Sequence, residues 1–156
     1  MSEIETCRDF VITPYCPADF EAVMALENRC FSDPWSRGSM ESCLATPVVK
    51  AYVARREETV LGFAIAYLIP PEGEIADVCV SPEERGKGIA KALMSTLIEE
   101  SGCDSFFLEV RASNRSAIGL YGKLGFAVLG VRKRYYDKPR EDAIVMGLER
   151  GSLKGE

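Results

Sequence analysis

A mixed α/β layered domain, with helices on the faces of one sheet, is the fold class predicted by the sequence of 156 residues. Three observations carry this prediction. VVKAYVARR, VLGFAIAYLI and IADVCVS are strand-like stretches that follow one another across short turns, the order of consecutive hairpins. Later strands, SFFLEVR and FAVLGVRKRYY, are separated by segments of helical period. Hydrophobic residues make up 47% and charged residues 28%, a composition that folds alone at this length. A meander followed by strands that alternate with helices gives a mixed sheet with helices packed on it.

In chain order, DFVITPY (9–15) reads as the first strand. A helix follows over 17–31, with Pro17 early and Phe20, Val23, Met24 and Glu27 at helical spacing. SDPWS breaks it, and a short helix around 39–45 leads into the meander. The meander strands are 48–56, 60–69 and 75–81, with turns at EET and PPEGE. A helix over 88–101, strand 105–111, helix 114–124 and strands 126–136 and 142–149 complete the order β α α β β β α β α β β. One domain over 1–150 and a tail, GSLKGE, over 151–156 are expected.

Composition excludes several classes of function. The six cysteines, at 7, 16, 30, 43, 79 and 103, form no Cys-x-x-Cys pair, and MSEIETCRDF lacks the apolar core of a signal peptide. A reducing, cytoplasmic setting is expected. The chain has no histidine, so Ser/His and Cys/His couples are excluded and no metal site is expected. VLGFAIAYLI is about half the length of a membrane-spanning helix, which predicts a soluble protein with no membrane partner. The net charge of −5 argues against broad nucleic-acid binding. RKRYYDKPRE (132–141) is nevertheless a local basic and aromatic cluster, either a solvated hairpin or a binding element.

Two motifs carry chemistry. In VCVSPEERGKGIAKALM (78–94), Gly86 and Gly88 stand beside a helix start, where free backbone N–H groups suit an anionic phosphate. The P-loop pattern is absent, and Lys91 occupies the third glycine position of a dinucleotide fingerprint. The second motif is EVRASNRSAIGLYGKLGF (109–126). Strand alternation puts Glu109 and Arg111 opposite Leu108 and Val110. Asn114 and Tyr121, seven apart, share one helix face. Taken singly, Glu109 reads as a solvated strand residue, Asn114 as a helix cap and Tyr121 as a core-edge aromatic.

Together these residues resemble a family. Val78, Val80, Pro82, Arg85, Gly88 and Ala90, followed by Asn114 and Tyr121, are similar to the acetyl-CoA motif of the GNAT N-acetyltransferases. The element order agrees. FSDPWS (31–36), LEVRASN (108–114), LYGKLGF (120–126), and RYY followed by EDAIVM (141–146) resemble the RimI-type ribosomal-protein alanine N-acetyltransferases. The likeness runs from about 10 to 148.

The resemblance implies a mostly antiparallel, seven-stranded sheet flanked by about four helices, with acetyl-CoA as co-substrate. It implies that backbone amides of Gly86, Lys87, Gly88, Ile89, Ala90 and Lys91 hold the pyrophosphate, with Arg85 and Asn114 also binding the cofactor. Val78, Cys79 and Val80 would pair with the pantetheine arm as an added strand, and helix N-termini and strand edges suit these ligands. Cys79 has no histidine to activate it and reads as packing. Transfer from thioester to amine would be direct, with Glu109 as base, Tyr121 as acid to the departing thiolate, and an N–H of the Val80 strand on the oxyanion. The acceptor implied is the N-terminal alanine of the eighteenth small-subunit ribosomal protein, with Trp35, Tyr135 and Tyr136 lining a peptide groove. A peptide α-amine with a pKa near ~8 is roughly a tenth neutral at pH 7, so a modest base suffices.

Some features fit less closely. Ala90 replaces a commoner glycine, and Gly119 and Gly122 weaken the Tyr121 helix by about 1 kcal/mol each. Two other readings of the chain remain: a GNAT enzyme that acetylates a small polyamine-like amine, and a non-catalytic acetyl-CoA-binding interaction module.

Overall fold

The computed structural model describes residues 9–137 and 139–150. Cys7 and the expected tail 151–156 lie outside the described residues. Among the described residues seven strands form one sheet: β1 (Val11–Pro14), β2 (Val49–Arg56), β3 (Thr59–Ile69), β4 (Glu72–Val80), β5 (Ser105–Arg111), β6 (Ala127–Tyr136) and β7 (Glu141–Glu149). Four α-helices flank it: α1 (Phe20–Cys30), α2 (Arg37–Leu44), α3 (Ile89–Glu100) and α4 (Arg115–Lys123). The strand order is β1-β2-β3-β4-β5-β7-β6. Every neighbouring pair is antiparallel except β4 and β5. The mixed sheet read from the sequence, in the mostly antiparallel, seven-stranded form that the resemblance implied, is therefore the fold observed. Among the described residues no helix is long and apolar enough to cross a membrane.

β3 is a central strand because both of its faces are apolar. Leu61, Ala64, Ala66 and Leu68 join the core under α3 and α4, while Phe63 and Ile65 join the core under α1 and α2. Period-2 alternation over 63–68 thus supplies two cores from one strand, and a bulge at Leu61, which the β2 register skips, puts that residue in the same core as Ala64. On α3, Ile89, Leu93 and Leu97 recur every four residues and are fully buried against the sheet. Truncating Leu93 to alanine would cost about 2–5 kcal/mol. Ser101 caps this helix, and Gly102, at φ 73°, turns the chain away in the left-handed conformation that favours glycine.

β4 differs from the sequence expectation in a way that shapes the site. It begins at Glu72, not 75, because the Pro-Glu-Gly signal that reads as a turn also serves as a parallel pairing with β5. Gly73 is required there, since a Cβ would sit 2.7 Å from the Phe106 ring. The pairing stops after Glu74↔Phe107. Opposite β3 the register skips Ala76, a bulge that bends the strand. Beyond it β4 and β5 diverge, so the β5-facing edge of β4 over 75–80 opens into a split in the sheet.

Candidate active site

A groove of about 560 Å³ lies in this split. From β4 it takes Val78, Cys79 and Val80, and from the following turn Arg85, Gly86 and Gly88. Ile89, Ala90 and Lys91 come from the first turn of α3, and Asn114 and Tyr121 from α4. Gly86 and Gly88 have φ of 81° and 84°, and a Cβ on either would meet nothing within 4 Å. The first α3 helix bond runs from Ala92 N–H to the Gly88 carbonyl, so the amides of 89–91 lack an intrahelical acceptor. Three such donors at a positive helix end, beside an open strand edge, suit a phosphate-bearing ligand with an amide-rich arm.

The turn is anchored on both sides. Arg85 Nε donates to the Val80 carbonyl at 3.1 Å. Lys87, whose backbone was expected at the ligand, turns its ammonium to Glu84 at 3.0 Å. Both carboxylate oxygens of Glu84 also receive Arg56, at 2.9 and 3.0 Å. Arg56 and then Lys87 hold the Glu84 carboxyl down at about 2.

Tyr121 is fixed by the end of its own helix. Phe126 N–H donates to the Tyr121 carbonyl and Gly125 N–H to that of Gly122, the paired bonds of a Schellman motif. Gly125 has φ 105°, and the Phe126 ring packs on Tyr121 with centroids 5.9 Å apart. Only 8% of Tyr121 is exposed. Burial, then the fields of Asp77 and Tyr136, push its phenol well above its ordinary value. At the other end, Asn114 Oδ1 caps α4 by accepting the Ala117 N–H at 3.1 Å. The capping reading of Asn114 therefore holds, and the same residue lines the groove.

Glu109, Tyr135 and Tyr136 are not among the residues that line the groove; Glu109 lies on the face of β5 opposite Leu108 and Val110, two residues before Arg111, which does line it. Arg132 Nε meets its Oε2 at 2.6 Å. The Tyr135 hydroxyl hydrogen-bonds to it, and that bond leads the causes that raise the Tyr135 phenol. Tyr136 packs edge-on to Tyr135, with centroids 5.1 Å apart. Its phenol is pushed up to about 12, by burial first and then by Glu109. Because Tyr136 also acts on Tyr121, it stands electrostatically between the two proposed catalytic groups. Trp35 is not part of this group. Partly buried, it packs against the core under α1 and α2 and lines a separate cavity with Tyr67.

Residues 20–126 match the acetyltransferase (GNAT) family. The chain belongs to that family. This GNAT chain is 33% identical over 152 residues to a [ribosomal protein bS18]-alanine N-acetyltransferase of Haemophilus influenzae, covering 94% of the chain and 95% of that relative. The crystal structure of the ribosomal-protein-S18-alanine N-acetyltransferase of Escherichia coli superposes with a TM-score of 0.84 at 32% identity, covering 90% of the chain and 93% of that structure. An uncharacterised Mycobacterium leprae protein is 33% identical over 145 residues, 89% of the chain, but the chain spans only 40% of that relative's length.

Sequence reasoning missed several residues that line the groove or flank it. Glu74 was absorbed into a supposed turn; burial, then the Glu109 carboxylate, raise its carboxyl, and Arg132 opposes them. Cys30 and Phe31 line the groove from the end of α1, a contribution with no local signal. Asp77 did carry a signal, as a lone acid in an apolar strand. The basic 132–141 segment is partly neutralised by acids outside it: Arg132 pairs with Glu109 of β5, and Lys133 with Asp142 of β7 at 3.6 Å.

Proposed function

We propose that this acetyltransferase moves the acetyl group of acetyl-CoA onto the α-amine of a protein N-terminus, with the alanine that begins ribosomal protein bS18 as its favoured acceptor. The observation that carries this reading is the groove, which joins the glycine turn to Tyr121 beside the Glu109 cluster. Relatives named for bS18 alanine acetylation, matched over almost their whole length, support the choice of acceptor. The net charge of −5 favours a basic peptide. No step calls for a metal, a nucleic acid or a membrane. The five described cysteines are unpaired thiols, which suits the cytoplasm.

In the proposed chemistry the acceptor amine forms a C–N bond to the acetyl carbon as the C–S bond breaks. Glu109, through a water, takes the amine proton. Arg132 and Tyr135 hold the Glu109 carboxylate in one orientation, and the acceptor's own ammonium competes with Arg132 for it. A phenol at its ordinary pKa would protonate a thiolate uphill by roughly 2 kcal/mol, and the raised phenol of Tyr121 makes full transfer costlier. Tyr121 therefore acts as a hydrogen-bond donor to the leaving sulfur, whose proton then comes from solvent. An N–H of the β4 edge serves the oxyanion. Tyr135 and Tyr136 stand where the first peptide residues approach Glu109, and Trp35 supports the loop that walls the groove.

The test is tandem mass spectrometry of an alanine-initiated basic peptide with an internal lysine, incubated with acetyl-CoA. The acetyl group is expected on residue one. Acetylation of the lysine side chain alone would refute the reading.

A further inference from the structure

Glu27 of α1 is 1% exposed, which places a carboxyl group in the core. Its Oε2 accepts the Trp35 N–H at 2.9 Å, tying down the far end of the loop whose first residues, Phe31 and Ser32, line the groove. Its Oε1 finds no donor among the described residues, and neither does Oδ2 of Asp77, which follows the bulge in β4. The two carboxyl groups lie within hydrogen-bond reach of each other. Ionised carboxylates only accept hydrogen bonds, so two of them here would leave both oxygens orphaned and repelling. One proton between them turns one group into a donor and satisfies both.

We infer that Glu27 and Asp77 share a single proton, and that this buried acid pair clamps the 31–36 loop onto the bulged strand that receives the cofactor. The pair touches neither the acetyl carbon nor the amine, so both are positioning residues. Burial, then the Glu27 carboxyl, push the Asp77 carboxyl well above its ordinary range, and the Val78 N–H opposes them. The titratable groups facing the pair are the thiols of Cys30, Cys79 and Cys43 and the phenol of Tyr121. Burial leads the causes that raise Cys43, Cys79 and Tyr121, which keeps those three neutral. Each is a poor source of counter-charge, so a proton is the means left to relieve the pair.

The role assigned to the clamp rests on the groove being the acetyl-CoA site, whereas the shared proton does not, and the experiment separates the two. Infrared spectroscopy of the full chain at pH 8 should show the carbonyl band of a protonated carboxyl group, lost in both Asp77→Asn and Glu27→Gln. A folded parent without that band overturns proton sharing. By calorimetry, Asp77→Asn, whose amide donates permanently, should bind acetyl-CoA within about twofold of the parent, while Asp77→Ala weakens it by about tenfold, the worth of one buried hydrogen bond. Asparagine as damaging as alanine overturns the clamp. A parent that binds no acetyl-CoA defeats the proposed function and leaves the infrared result standing.

Discussion

Arg132 Nε lies 2.6 Å from Glu109 Oε2, an ion pair that reaches from β6 across β7 to β5. The contact holds in one orientation the carboxylate proposed as the base. Glu109→Gln should lower turnover more than acetyl-CoA affinity, and its deficit should shrink as rising pH deprotonates the amine without help. A deficit constant with pH would assign Glu109 to orienting the acceptor alone.

The glycine turn and the first turn of α3 can be tested without disturbing backbone conformation. Gly86 and Gly88 have positive φ, so side chains there would strain the fold. Ala90 lines the groove from within α3. Ala90→Glu places a carboxylate at the positive end of the helix, which the helix tolerates, yet directly where the pyrophosphate is proposed. The variant should keep its melting temperature within a few degrees and lose acetyl-CoA binding in calorimetry. Undiminished binding would move the phosphate site elsewhere.

Two glycines around Tyr121 should respond in opposite directions to the same substitution. Gly119 is inside α4 and a Cβ there meets nothing within 4 Å, so Gly119→Ala should stabilise the fold by about 0.5–1 kcal/mol. Gly125 has φ 105° and a Cβ would stand 3.0 Å from Leu148 Cδ1, so Gly125→Ala should destabilise by about 1–2 kcal/mol and lower turnover by displacing Tyr121. Urea denaturation of both variants checks the signs, and equal effects would show that the Schellman motif does not hold Tyr121.

Glu84 sets an acid limit on the turn. Its carboxyl is held at about 2 by Arg56 and Lys87, against an ordinary value near ~4.3. A depressed carboxyl stabilises the fold above its unfolded value and loses that contribution as pH falls through its folded value. Glu84→Gln should therefore be less stable than the parent at neutral pH, and the gap should close between about pH 4 and about pH 2. Denaturant midpoints across that range test it, and a gap that stays constant would mean the ion pairs contribute nothing.

Strands with clean alternation were legible from sequence: β5 spans Ser105–Arg111 as read, and Glu109 falls on the face opposite Leu108 and Val110. Gly73 was read as a turn because local chemistry cannot show that Phe106 packs on it from β5. The charged cluster of Glu74, Glu109 and Arg132 joins three strands distant in sequence. The Glu27–Asp77 pair likewise depends on how α1 crosses the bulge of β4, and the helical spacing of Glu27 betrays only its burial. Trp35 illustrates the reverse. Its residue type suggested a peptide contact, while its place between α1 and α2 packs it, partly buried, against the core.

The most direct measurement compares initial rates of acetyl transfer, at equal concentration, to three acceptors: an alanine-initiated basic hexapeptide, its N-formylated copy carrying an internal lysine, and spermidine. The free α-amine peptide should be acetylated fastest, with discrimination mainly in kcat/KM. Acetylation of the blocked peptide or spermidine at the same rate would contradict the α-amine assignment and make a small-amine or side-chain acetyltransferase the better account.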